Sequence, residues 1–285
     1  MRAIALFFLA VLAGCGGAGS ANGSSSLVPT ATATTTPTPG DTSYVAAYKA
    51  AKWSGVTVSF PTSCTMTLQT TGIPAYHADY YLAPDSAQYP TTVATSPVSN
   101  TPMSLVPFTL SSIMGQTVTV NTCPSKAVAT TTTNMGAIGY MLTGEALFNA
   151  YEGNGFATPA MSDNVSYTFT NNGTSETAAF IDQCNSHPTP VSAGYLWHYH
   201  GVPNCLTAQI DGAKGPSHLI GIALDGYPIY GGRDINGNII SVSQLDSCNG
   251  ITSPTPEFPN GAYHYVLPVG VTSGRSSLNC YTGTP

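Results

Sequence analysis

Charge is scarce in this chain. Of its 285 residues only 7% are Asp, Glu, Lys or Arg, and seven basic side chains against thirteen acidic ones leave a formal net charge of −6. A nucleic-acid backbone needs a basic stripe to replace its counterions, so nucleic acid is excluded as a partner. Lys and Glu, which favour helices, are few, whereas Gly, Pro, Thr, Ser and Tyr abound. That balance argues against a helical bundle and predicts short strands joined by many turns. No CxxC pair occurs, which leaves a zinc ribbon or a thioredoxin-type redox motif without support. HExxH, Gly-x-Ser-x-Gly, a phosphate loop and the kinase motifs are absent as well, so no enzyme class announces itself.

Long apolar runs are also lacking. Ile4 to Leu12, preceded by Arg2, is too short for a permanent membrane span and has the pattern of a signal peptide. The next residues, Leu12-Ala13-Gly14-Cys15, resemble the lipobox of bacterial lipoproteins. The resemblance implies cleavage before Cys15, a lipid on that residue, and a domain held at a membrane outside the cytoplasm. Gly16, rather than Asp, fits sorting to the outer membrane, so the expected location is the bacterial cell envelope. An ordinary secretory signal with an incidental cysteine is the alternative. Residues 16–43, rich in Gly, Ser, Ala, Thr and Pro, cannot bury apolar surface and read as a tether.

About 240 residues remain, enough for one large all-β domain or two fused halves. We expect an N-terminal β region over 44–133 and a duplicated, hairpin-rich, sandwich-like β domain with long loops over 134–285. Tyr44 to Trp53 predicts a brief helix; Val56–Phe60, Thr65–Leu68 and Thr117–Val120 alternate as strands do. Ala83 to Pro107, rich in Pro, Ser and Thr, reads as a long surface loop.

From Met135 onward the chain repeats itself. Gly139-Tyr140-Met141-Leu142-Thr143-Gly144-Glu145-Ala146-Leu147-Phe148 aligns with Gly221-Ile222-Ala223-Leu224-Asp225-Gly226-Tyr227-Pro228-Ile229-Tyr230. Thr143-Gly144 and Asp225-Gly226 predict tight two-residue hairpins with positive φ at both central residues. Asp182-Gln183-Cys184-Asn185 then matches Asp246-Ser247-Cys248-Asn249, each Asp reading as a cap on its own turn. With Cys15 lipidated, six cysteines remain for an oxidising compartment. Cys64–Cys123 joins two strand ends, and equivalent position in the repeats suggests Cys184–Cys205 and Cys248–Cys280.

Trp197-His198-Tyr199-His200, Cys184-Asn185-Ser186-His187-Pro188, the run Leu219 to Gly231, Asp246-Ser247-Cys248-Asn249-Gly250 and Tyr263-His264-Tyr265 together resemble the bacterial YHYH-domain family over roughly Met135 to Gly283. Three positions depart from its pattern: Trp197 for the first Tyr, Ser186 for a Gly, and Val266 for the last His of the second copy. The resemblance implies an extracytoplasmic, duplicated β domain and says little about chemistry.

Chemistry must come from the histidines. On a strand His198 and His200 share one face while Trp197 and Tyr199 take the other. His264 occupies the place of His198 in the second copy, so His198, His200 and His264 could meet across a pseudo-two-fold axis around one ion. His187, ahead of a proline in a turn, and His218, at the start of the second hairpin, are each a candidate fourth ligand or a partner that orients one. Neutral imidazoles suit copper or zinc. Three other readings stay open: a His-Tyr ladder that satisfies itself without metal, an envelope or carbohydrate-binding module using Tyr195, Trp197, Tyr199, Tyr263 and Tyr265 as aromatic faces, and a metal-dependent hydrolase with an open coordination position.

Overall fold

The computed structural model describes residues 42–76, 93–95, 102–104, 113–152, 158–162, 166–171, 174–179 and 181–285. The expected signal peptide, Cys15 and nearly all of the tether lie outside these residues. A short helix α1 (Ser43–Ala50) buries Tyr44, Val45 and Tyr48. It is followed by β1 (Val56–Thr62) and β2 (Thr65–Thr70). In β2 Met66, Leu68 and Thr70 are buried in alternation, the period that a half-buried strand requires. The stretch expected to be a surface loop contains a short antiparallel pair, β3 (Val93–Thr95) and β4 (Pro102–Ser104). The rest of that stretch, apart from these two short segments, lies outside the described residues. Next, β5 (Gln116–Asn121) completes a three-stranded antiparallel sheet beside β2. After it comes β6 (Thr131–Thr132).

The repeats begin with β7 (Ala137–Met141) and β8 (Ala146–Phe148). A separate hairpin, β9 (Ser166–Asn171) and β10 (Thr174–Ala179), precedes β11 (Ser186–Val191) and β12 (Gly194–Tyr199). Helix α2 (Asn204–Ile210) leads to the second copy: β13 (Leu219–Ala223), β14 (Pro228–Tyr230), β15 (Gly250–Ser253) and β16 (Ala262–Val266). Finally β17 (Cys280–Tyr281) pairs with β6. The all-β expectation holds.

Eight strands form one mixed sheet in the order β11-β12-β8-β7-β13-β14-β16-β15, and this order is its own mirror under exchange of the copies. The register is duplicated pair for pair. Ala137, Gly139 and Tyr140 face Phe148, Leu147 and Ala146 across the first hairpin; Leu219, Gly221 and Ile222 face Tyr230, Ile229 and Pro228 across the second, with the same irregularity in each. At the centre Tyr140 pairs with Ile222, flanked by Met141 with Gly221 and Gly139 with Ala223. Equivalent residues therefore face each other, and a pseudo-two-fold axis crosses the sheet between Tyr140 and Ile222. In each copy the outer hairpin adds by a parallel pairing, β12 to β8 and β16 to β14.

The hairpin turns differ from expectation. Gly144 and Gly226 have φ of 90° and 89°, but Thr143 and Asp225 are not in the positive-φ region. The Gly144 N–H donates to the Met141 carbonyl, and Met141 N–H to Glu145; Gly226, Ala223 and Tyr227 repeat this. Each loop is thus three residues long, a turn closed by a glycine bulge, because only the glycine can take the left-handed conformation without a Cβ clash. The Asp turns are capped as expected: the carboxylates of Asp182 and Asp246 accept the N–H of Cys184 and Cys248 at 2.9 Å in both cases.

One apolar core joins α1, the three-stranded sheet and the large sheet through Tyr48, Met66, Leu68, Val120, Met141, Leu147, Ile222, Ile229 and Tyr265. The Tyr48 hydroxyl donates to the Gly226 carbonyl at 2.6 Å, and Tyr44 to that of Tyr263 at 3.0 Å. Disulfides join Cys64–Cys123, Cys184–Cys205 and Cys248–Cys280. They point to an oxidising, extracytoplasmic compartment. Among the described residues no helix is long and apolar enough to cross a membrane.

Candidate metal centre

The first copy gathers three imidazoles. His187 lies on β11 directly opposite His198 on β12, and His200 follows one pleat beyond His198. The sequence predicts His187 in a turn, ahead of Pro188. It stands in a strand instead: β11 is the edge of the sheet, the one place where prolines two residues apart can leave their missing N–H on the open side.

All three rings are buried, none more than 4% exposed. His198 Nε2 lies 3.0 Å from His200 Nε2, which lies 3.2 Å from His187 Nε2. The other nitrogen of each ring is committed. The Nδ1 of His187 contacts the Pro188 carbonyl at 3.1 Å, that of His198 the Leu196 carbonyl at 3.2 Å, and that of His200 the Asn149 carbonyl at 2.7 Å. A carbonyl oxygen only accepts, so each Nδ1 carries the proton and each Nε2 presents a lone pair. Phe148 stacks on His198, centroids 3.8 Å apart, and holds the ring in place.

Electrostatics agree with that assignment. Burial, then the neighbouring imidazoles, holds His187 and His198 well below the ordinary histidine range, and burial brings His200 down to about 4. The rings are neutral at physiological pH, the form that binds metal. The His200 Nε2 meets the other two at 3.0 and 3.2 Å, and the ligand atoms of the three rings all lie within 4.8 Å of one another; these contacts bring lone pairs head to head, an arrangement that a cation between them relieves. Metal–nitrogen bonds of about 2.0–2.1 Å at tetrahedral angles separate ligand nitrogens by roughly 3.3 Å, close to both of these contacts. Among the described residues no carboxylate or thiolate joins this group.

His264 and His218 are elsewhere. Between β12 and β16 lie four strands, roughly 24 Å along the sheet at about 4.8 Å per strand. His264 packs edge-on against Tyr230, centroids 4.7 Å apart, with Nδ1 on the Ala262 carbonyl at 3.0 Å. His218 contacts Asp211 at 3.3 Å and lines a cleft of about 640 Å³ with Lys52 and Glu257. The expected meeting of His198, His200 and His264 is not what the structure shows, because the pseudo-axis carries equivalent positions to opposite ends of the sheet. The third member of the cluster is His187, found by cross-strand pairing. The signal available in the sequence was the near-symmetric placement of His187 and His198 about the Val191–Gly194 turn.

Trp197, Tyr199 and Tyr265 are at most 2% exposed, so these rings offer no platform to a sugar. Their place is the core, on the face opposite the imidazoles.

The arrangement defines a duplicated all-β, disulfide-linked protein with a buried three-histidine cluster that could hold a metal ion, confined to one of its two copies. The family model for the YHYH protein matches residues 117–239 and 234–283. The chain belongs to the YHYH family. No curated protein and no solved structure matches it.

Proposed function

We propose that the chain is a lipid-anchored protein of the bacterial cell envelope that binds one transition-metal ion, zinc or copper, through His187, His198 and His200. The observation that carries this reading is the convergence of three Nε2 atoms whose Nδ1 partners are backbone carbonyls. Carbonyls orient metal-binding imidazoles and fix their tautomer. Copper heads the affinity order for such nitrogens, and zinc accepts the same set with a fourth ligand from outside. Burial of every ring favours holding the ion over turning substrate on it. The anchor rests on the Leu12-Ala13-Gly14-Cys15 sequence and the tether behind it; the domain over 134–285 would sit at the outer membrane, displayed beyond 16–43.

The test is metal content by elemental analysis after folding in an oxidising compartment and challenge with zinc or copper. One equivalent is expected, lost in His198→Ala and His200→Ala and retained in His264→Ala. No stoichiometric ion, or an ion retained when all three residues are alanine, rejects the site. Metabolic labelling with a fatty acid tests the anchor: incorporation that survives Cys15→Ser overturns it.

A further inference from the structure

The structure contains a second position built like the metal centre. Several backbone features around His187, His198 and His200 recur in the second copy. His187 pairs with His198 across β11 and β12 as Ile251 pairs with His264 across β15 and β16. The His200 N–H donates to the Asn185 carbonyl as that of Val266 does to Asn249. Asn185 and Asn249 both adopt the left-handed conformation, with φ of 65° and 68°. A backbone pairing beyond the first hairpin of each copy repeats too: Ala160 N–H donates to Ala150 as Ile240 N–H does to Gly232, at 2.8 and 2.9 Å. Phe148 stacks on His198 where Tyr230 meets His264.

Besides Tyr230 for Phe148, three side chains differ. Ile251 stands for His187, Val266 for His200, and Ile240 for the smaller Ala160. Ile240, Val266 and Ile251 pack together with Leu245 as an apolar cluster separate from the main core. His264 keeps the orientation of His198, Nδ1 on the carbonyl two residues back, 3.0 against 3.2 Å. Its Nε2 is left as the one ligand nitrogen of the set.

We infer that this cluster is a second transition-metal pocket filled by hydrocarbon, complete in its backbone and three side chains short of binding an ion of the class held by the first. The inference rests on the proposed function of the His187 cluster. Packing supplies in the second copy what the ion supplies in the first: something to occupy the space between two hairpin strands and the following segment. Branched aliphatic side chains do this because a buried gap costs contact energy on every wall. The chain is thereby asymmetric, one copy for the ion and one copy for stability.

The experiment is exchange in both directions, read by elemental analysis and near-ultraviolet circular dichroism on the full chain. Ile240→Ala with Ile251→His and Val266→His should raise the loading from one equivalent to two, and adding His264→Ala should return it to one. The reverse set, Ala160→Ile with His187→Ile and His200→Val, should fold with native dichroism and hold no ion. A forward variant that folds and still binds one equivalent overturns the inference while leaving the first site standing. Should the forward variant not fold, the reverse set decides: failure of the reverse set to fold also overturns it. A wild-type chain that binds nothing rejects the proposed function itself.

Discussion

Acid should destabilise the metal-free protein through its buried histidines, and the effect can be sized. Burial lowers His200 from 6.5 to about 4. At about 1.4 kcal/mol per unit this is roughly 3 kcal/mol of preference for the neutral ring in the folded state. A folded-state value below the unfolded one means that the unfolded chain binds more protons. The stability is therefore complete above pH ~6.5 and is lost as the pH falls toward 4. His187 and His198 shift the same way, so roughly 3 kcal/mol is the share of one ring. For a domain of this size about 2–4 °C accompanies each kcal/mol, giving a fall in Tm of roughly 6–12 °C between pH 7 and 4 from His200 alone. Glu145 and Asp225, raised by burial, act in the opposite sense, and His264 acts in the same one. The informative quantity is thus the difference between wild type and His200→Val, the residue that the second copy carries. Thermal melts of chelator-treated protein at several pH values measure it. A variant whose Tm falls with acid as steeply as the wild type's would refute the reasoning.

Zinc or copper at one hundred times its Kd should stabilise the folded chain by about 2.7 kcal/mol, seen as a rise in Tm that disappears in His187→Ala and persists in His264→Ala. Glu145 is buried, and its Oε1 accepts the Ala75 N–H at 2.7 Å. Glu145→Gln keeps the accepting oxygen and removes the charge that burial disfavours, so denaturant melts should show a gain in stability at pH 7 that shrinks toward pH 4; a loss at pH 7 would count against it. Cys248 and Cys280 are 32 residues apart, and opening that loop by replacing both with Ala should cost roughly 3–4 kcal/mol. A chain equally stable to urea with and without this bridge would contradict that figure.

Much of the fold could be read before any coordinates. Strand alternation located β1, β2 and β5, and the repeat predicted two disulfides by equivalence, Cys184–Cys205 and Cys248–Cys280, as the structure has them. Such features are local or are copied with the repeat, so residue order carries them. The hairpin loops were harder: Thr143-Gly144 and Asp225-Gly226 signal a turn, but whether the loop has two residues or three depends on which pair closes the ladder. The parallel pairings of β12 with β8 and β16 with β14 had no local signature at all.

Residue order alone settled that this is an all-β chain with a duplicated half and its histidines concentrated on matching strands. Which imidazoles touch was decided by the tertiary structure. Sequence similarity marks His198 and His264 as equivalent, and under an axis through the centre of a sheet equivalent residues move apart. Contact followed strand pairing instead, and it set His187 beside His198. Equivalence is a property of the repeat, and proximity is a property of the axis that relates its copies.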